Sequence, residues 1–282
     1  MSVRVLHTQV GGGLLAVVIP TRGVEPWRIR NALSSIRQSV VPVEIIVSDY
    51  GSTKNETYWL LEYAGRFDAT LLHVETDSAW NISVAYNTGI RRCKSPVIVT
   101  VDADIIYSPE TFENTLSLVN GNNIVIRQPI FIDANIPLED LRFPESYALL
   151  ESQPKRYVSP SVGCFCAMTR ENWFRLRGFE ERFRMYGSED WELWKRVGKN
   201  RINKVLIGAS KFNYPHLPPE PNTLIYHQHH ESPDKRLHVS EAELEAHRER
   251  NRTIYEEATE INHNREDWGL QPFPVVNHPV TH

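Results

Sequence analysis

Two carboxylates one residue apart, Asp102 and Asp104, follow directly on Val97-Ile98-Val99-Thr100-Val101. The apolar run reads as a buried strand of a parallel sheet that ends where the aspartates begin. Open α/β sheets bind their ligands outside the carboxyl ends of the strands, and two aspartates buried there without a counter-charge would be unfavourable. A bound cation is the simplest reading. Hard oxygen donors suit Mg²⁺ or Mn²⁺, ions that usually complete their shells with phosphate oxygens. An acidic surface turn is the competing reading of so short a motif. A second acidic pair, Glu189-Asp190, opens a helix after a glycine, where the helix dipole by itself favours acids. A third cluster, His227, His229 and His230, follows the apolar Leu224-Ile225-Tyr226. Neutral imidazole can complete a Mn²⁺ shell begun by the aspartates. Strand alternation predicts His227 and His229 on one face and His230 on the other, unless the strand has already ended by then.

These groups need a scaffold, and the chain supplies one by alternation. Leu14 to Ile19 reads as a first strand, stopped at Pro20-Thr21-Arg22-Gly23. Pro26 suits the first turn of a helix, and Ile29, Ala32, Leu33 and Ile36 continue it at helical spacing. Val43 to Ser48 is a second strand, with Asp49-Tyr50-Gly51-Ser52-Thr53 as a polar loop at its end. A helix over Asn55 to Ala64, a strand over Thr70 to Val74 and a helix over Ser83 to Arg92 lead to the strand that carries the aspartates. This order predicts a doubly wound, mainly parallel α/β sheet. Beyond it, Pro109 to Val119 reads as a helix and Asn123 to Arg127 as a strand. The proline-rich stretch from Gln128 to Pro160 reads as loops and short pieces. Ser161 to Met168 reads as a strand, Glu189 to Val197 as a helix, Asn203 to Ile207 and Thr223 to Tyr226 as strands, and Val239 to Glu260 as a charged helix.

Composition narrows the class. A chain of 282 residues with 41% hydrophobic and 23% charged residues is ordinary globular protein, able to bury a real core. The formal net charge of −4 gives no electrostatic footprint for nucleic acid or an anionic membrane. Cys93, Cys164 and Cys166 make neither a disulfide framework nor a zinc spacing, which fits reduced thiols in a cytoplasmic protein. No apolar stretch approaches a membrane span.

Four segments taken together resemble a known family. Val17-Val18-Ile19-Pro20-Thr21-Arg22, Val47-Ser48-Asp49-Tyr50-Gly51-Ser52-Thr53, Asn87-Thr88-Gly89-Ile90 and Asp102-Ala103-Asp104 are similar to the GT-A glycosyltransferases of the family 2 type. Gly178-Phe179-Glu180-Glu181-Arg182-Phe183 and Tyr186-Gly187-Ser188-Glu189-Asp190-Trp191-Glu192-Leu193 resemble the carboxyl half shared by β-1,4-galactosyltransferases, polypeptide GalNAc-transferases and chondroitin-type polymerases. Tyr226-His227-Gln228 is similar to the polymerase group. Tyr50 and Arg22 depart from the commoner residues at their positions. The resemblance implies a single GT-A domain: a Rossmann-like, mainly parallel sheet flanked by helices. It would span residues 14–232, with a nucleotide-binding half to 108 and an acceptor-binding half after it. Residues 1–13 would be a lead-in and 233–282 a helix and tail.

The resemblance also implies a reaction: metal-dependent, inverting transfer of a sugar from a UDP-sugar to an acceptor hydroxyl. The acceptor would be a glycan or a small molecule. Mn²⁺ or Mg²⁺ would sit on Asp104, with His227 as a further ligand, and Asp102 would bind ribose or reach the ion through water. Asp49 would accept a hydrogen bond from the uracil imide, and Pro20, Thr21 and Arg22 would line the base pocket. Asn81, Asn87 and Arg91, just before the metal strand, would contact ribose or diphosphate, although helix capping explains Asn81 nearly as well, and Ala103 stands with them in the motif. Asp190 would be the base and Glu189 a ligand for sugar hydroxyls. Trp80 is a candidate sugar or acceptor platform, with a buried Trp an equal reading, while Trp191 and Trp194 read as core. The alternatives are a nucleotidyltransferase and a non-catalytic sugar-binding protein. The first lacks its glycine-rich loop, since Gly11-Gly12-Gly13 precedes the first strand. The second is disfavoured by Asp49, Asp102, Asp104, Asp190 and His227 occurring together.

Overall fold

The computed structural model describes residues 2–9, 13–132, 145–156, 163–185, 187–208, 224–230 and 239–269. Tyr186, Thr223, Ser161 and the proline- and histidine-containing tail from 270 lie outside them.

Among the described residues the main sheet has eight strands. In chain order they are β1 (Ser2–His7), β2 (Leu15–Thr21), β3 (Val43–Tyr50), β4 (Thr70–Glu75), β5 (Val97–Val101), β7 (Asn123–Gln128), β10 (Phe165–Thr169) and β11 (Asn203–Gly208). Their spatial order is β1-β4-β3-β2-β5-β10-β7-β11. All but β1 and β10 run the same way, so the sheet is mainly parallel with two reversed strands. The chain winds outward from β2 through β3 to β4, then returns to place β5 on the other side of β2. That reversal opens a crevice between the carboxyl ends of β2 and β5.

Helices cover both faces. Pro26 opens α1 (Pro26–Arg37), and a Thr53–Glu56 capping box opens α2 (Lys54–Arg66). Asn81 caps α3 (Ile82–Arg92) by accepting from the Val84 amide at 3.0 Å. The pleat sorts β2 between two cores: Val17 and Ile19 pack with Ile29, Leu33 and Ile36 of α1, and Val18 packs with Val84, Ala85 and Ile90 of α3. The α3 face also takes α6 (Arg170–Arg175) and α7 (Glu189–Lys199), through Trp173 and Leu193.

A smaller sheet stands beside the crevice, in the order β6 (Ile105–Tyr107), β12 (Ile225–His227), β8 (Ile130–Ile132), β9 (Lys155–Arg156). It has its own apolar cluster of Ile106, Ile130, Ile132, Leu150 and Tyr226, Leu150 coming from α5 (Glu145–Ser152). The remaining helices are α4 (Thr111–Leu118) and α8 (Glu241–Glu256), the latter opened by a Ser240–Glu243 capping box.

Several expectations are corrected. Ser2–His7, expected as a lead-in, is an edge strand antiparallel to β4, with Val3 buried in the core. The second strand runs on to Tyr50, so Asp49 is a strand residue and fully buried. Within the stretch read as loops and short pieces, β8 and β9 join the small sheet and α5 packs against it; strands of two or three residues are too short to show a period. Trp191 is 43% exposed rather than core, whereas Trp194 is partly buried against the α3-side cluster.

The crossing of α3 over β2 depends on Gly89: a Cβ there would stand 2.3 Å from Val18 Cγ1. Gly89→Ala should therefore destabilise the fold by about 1–3 kcal/mol in urea unfolding. Adding Val18→Ala should recover part of the loss; full additivity of the two costs would show that the contact is not what matters.

Candidate active site

A cavity of about 300 Å³ occupies the crevice. Pro20, Thr21 and Arg22 line it from the end of β2, and Asp102, Ala103 and Asp104 from the end of β5. Glu189 and Asp190 enter from the start of α7, His227 and His230 from the end of β12, and Trp80 and Tyr86 close the wall between. The sheet topology thus gathers residues that lie far apart in the chain.

Asp104 is the centre of the arrangement. His227 Nε2 lies 3.6 Å from its Oδ1, and His230 Nε2 lies 3.4 Å from its Oδ2. One donor atom from each of these three residues falls within 4.8 Å of the other two. A carboxylate and two imidazoles converging in this way suit a divalent first-row ion. Burial pushes the His227 imidazole below its ordinary pKa, which favours the neutral, ligating form. Phe131 of β8 stacks on the His227 ring at 4.4 Å between centroids and fixes its plane. The backbone closes the same corner. The Gln228 amide donates to the Asp104 carbonyl at 2.9 Å, the Gln228 side chain donates to the Arg28 carbonyl, and it accepts from Asn31.

The histidine geometry differs from strand alternation. β12 ends at His227, and the chain turns through Gln228, so His230 swings back to Asp104 while His229 is exposed. Asp102 stands apart from this cluster: the Tyr86 hydroxyl donates to its Oδ1 at 2.9 Å. Burial, with Asp102 adding to it, holds the Tyr86 phenol well above its ordinary pKa, so it stays a donor. Tyr86 is itself clamped by stacking on Phe179 at 4.8 Å.

The second acidic pair is presented by a strained turn. Gly187 (φ 108°) and Ser188 (φ 75°) are both left-handed, and helix α7 starts immediately after them. Glu189 accepts from the Gly187 amide at 2.9 Å and Asp190 from the Trp191 amide at 2.8 Å. Asp190 packs against Gly163, where a Cβ would come within 3.0 Å of its own Cβ. Burial raises Glu189 to about 8, with the Asp190 charge adding to it, and burial also raises Asp190.

Asp49 lies to one side of the cavity. Its Oδ2 is 2.6 Å from His73 Nδ1, and its Oδ1 accepts the Ser52 amide. His73 and Ser52 line a second cleft that shares Arg22 with the main cavity. Arg22 spans the two, donating to the Ser78 carbonyl at 2.6 Å. Trp80 is 5% exposed, edge-on to Tyr50 at 5.8 Å.

Three residues expected at the donor are held elsewhere. Asn81 uses its oxygen as the α3 cap and its amide on the Glu181 carbonyl. Asn87 is fully buried: it donates to Phe179 O and Glu181 Oε1 and accepts from Phe179 N. Arg91 lies between the Phe174 and Trp268 rings, at 5.2 and 5.0 Å from their centroids. None of the three lines the cavity; they fasten α3 to the chain around 178–181 and 268. Sequence reading missed Tyr86, Arg28 and Gln228. Tyr86 was next to a quoted motif. Gln228 lay inside the Tyr226-His227-Gln228 match, and Arg28 gave no signal because its partner Asp104 lies 76 residues further on.

Residues 16–201 match the model of glycosyl transferase family 2. Among curated proteins the chain is 24% identical over 222 residues to validoxylamine A glucosyltransferase of Streptomyces hygroscopicus subsp. limoneus, covering 67% of this chain and 49% of that one. It is 34% identical over 125 residues to 4,4'-diaponeurosporenoate glycosyltransferase of Staphylococcus aureus (strain USA300), covering 42% of this chain and 32% of that one. The chain therefore spans half or less of these relatives. Among solved structures it superposes on the mannosyltransferase PcManGT from Pyrobaculum calidifontis in complex with GDP-Man and Mn²⁺. There the TM-score is 0.51 and the identity 19%, over 79% of this chain and 58% of that one. It also superposes on S. aureus TarS 1-349 in complex with UDP-GlcNAc, with a TM-score of 0.52 and 14% identity, over 77% and 59%. At these identities the structures speak to the fold.

The raised carboxyls make a pH prediction. The folded-state pKa of Glu189, about 8, lies above its unfolded value. Its proton therefore stabilises the fold fully below about 4.3 and is lost as the pH rises through 8. Urea unfolding between pH 5 and 8.5 should show stability falling with pH, and Glu189→Gln should flatten the fall. An equal slope in the variant would assign the dependence to other groups.

Proposed function

This chain belongs to glycosyl transferase family 2, and from that premise we propose that it transfers a sugar from a UDP-sugar to an acceptor hydroxyl with inversion. The observation that carries the reading is one cavity bearing both a convergent Asp104–His227–His230 cluster and a separate carboxylate pair at the start of α7. A nucleotidyltransferase would carry its glycine-rich phosphate loop after β2, whereas Gly11-Gly12-Gly13 lies before that strand, and a mere binding module would have no use for two carboxylates raised by burial.

Asp104, His227 and His230 would hold the ion, and the two imidazoles favour Mn²⁺ over Mg²⁺. When bound, such a cation neutralises the diphosphate leaving group. Asp102, oriented by Tyr86, is suited to the ribose hydroxyls or to a water on the ion. Asp49 and His73, beside the cleft that Arg22 shares with the cavity, are suited to the base, with Pro20 and Thr21 as its wall. Trp80 offers an apolar face to the sugar.

Asp190 removes the acceptor hydroxyl proton in this scheme. A carboxylate raised by burial is a stronger base than one in water, and its packing on Gly163 fixes its direction. Glu189, held to the Gly187 amide, binds hydroxyls of donor or acceptor. The likeness of residues 178–193 to the galactosyltransferase group supports the same assignment.

Release of UDP from a panel of UDP-sugars with Mn²⁺ tests the reading; no release from any of them, with or without acceptors, would count against it. Asp190→Asn should keep donor affinity and lower turnover about 10²–10⁴-fold. If the variant loses affinity but keeps turnover at saturation, Asp190 is a binding residue. His227→Ala and His230→Ala should each weaken Mn²⁺ dependence, while His229→Ala, exposed, should not.

A further inference from the structure

A positive charge is built into the wall of the cation cluster. Arg28 sits in the first turn of α1 with its side chain fully buried. Its guanidinium Nη1 lies 3.4 Å from Asp104 Oδ2, the oxygen that also faces His230. On its other side it pairs with Glu25, whose side chain is 43% exposed. The order Glu25–Arg28–Asp104 is thus minus, plus, minus, with the last member the only carboxylate of the Asp104–His227–His230 cluster. The contact to Asp104 is long for an Arg–carboxylate bond, so the guanidinium acts there more as a charge than as a clamp.

We propose that Arg28 is a positioning residue that occupies the Asp104 charge before the donor arrives, so that a divalent cation binds weakly alone and enters together with a nucleoside diphosphate. The inference rests on the glycosyltransferase reading of the cavity. Its physical basis is additive electrostatics. A buried cation a few ångströms from the cluster repels a lone divalent ion. The complex of a divalent ion with UDP carries net negative charge, and the same guanidinium attracts it. Glu25 tunes the effect: its half-exposed carboxylate offsets part of the Arg28 charge.

Mn²⁺ binding followed by the electron paramagnetic resonance signal of the free ion tests this on the whole chain, with Mn²⁺ alone and with Mn²⁺ plus UDP. Arg28→Met should tighten Mn²⁺ alone about tenfold or more, with no gain for Mn²⁺ added with UDP. Arg28→Lys should restore the unsubstituted behaviour. Glu25→Gln, at a half-exposed position, should act oppositely and loosen Mn²⁺ alone about threefold or more. A purely structural role for Arg28 would weaken both kinds of binding, and that result would overturn the proposal. So would Glu25→Gln leaving Mn²⁺ affinity unchanged or tighter. If the unsubstituted chain binds Mn²⁺ but the variants do not move in opposite directions, only this inference falls. If it binds no Mn²⁺ with or without UDP, the metal reading of the site falls with it.

Discussion

A carboxylate buried at the end of a central strand has to be answered by positive or polarisable groups, and in this chain Asp104 is answered from several sides. It is 5% exposed. Arg28 reaches it from α1, and His227 and His230 reach it from the end of β12. Its backbone carbonyl takes the Gln228 amide. Much else in the fold serves this meeting. The small sheet exists where β12 can pair with β6, immediately after Asp104 in the chain, and Gln228 ties the same corner to α1 through Asn31. Charge burial of this kind is poor evidence for stability and better evidence for a site.

The two ends of the cavity are built differently. The β2 and β5 side is parallel sheet, rigid and apolar beneath, with its polar groups confined to strand ends. The Glu189–Asp190 side hangs on a turn with two left-handed residues and on a glycine that lets a carboxylate lie flat against the β10 lead-in. Left-handed backbone and a close approach thus lie where these carboxylates must point, the pattern expected when backbone geometry orients a side chain. The antiparallel β10 links the two sides, pairing with β5 and bringing Cys164 O to the Asp102 amide.

What the sequence showed follows from the range of the interactions involved. The strands and helices of the first hundred residues were legible because each is defined by local periodicity, as in Ile29, Ala32, Leu33 and Ile36 of α1. The Asp-X-Asp motif was legible because it sits at a strand end. The edge strand β1 was not, since Val3 alone buries its side chain there. Asn81, Asn87 and Arg91 looked like ligands because polar residues near a motif invite that reading. The capping of α3 by Asn81 is local and legible, but the partners around Glu181, Phe179 and Trp268 lie far along the chain and could not be seen from spacing. His230 depended on where the last strand ends, at His227, which three residues of apolar pattern do not fix.

The pairing of β12 with β6 has a consequence for how the protein comes into being. The bond from Asn31 to Gln228 joins residues 197 positions apart. During synthesis the central parallel strands can find one another early, since β2, β3, β4 and β5 are all in hand by residue 101. The cation cluster cannot close until residue 230 has emerged. Asp104 and Arg28 of α1 are both in the chain by residue 104, but the two imidazoles arrive more than a hundred residues later, so the corner around Asp104 is the last part of the cavity to be completed.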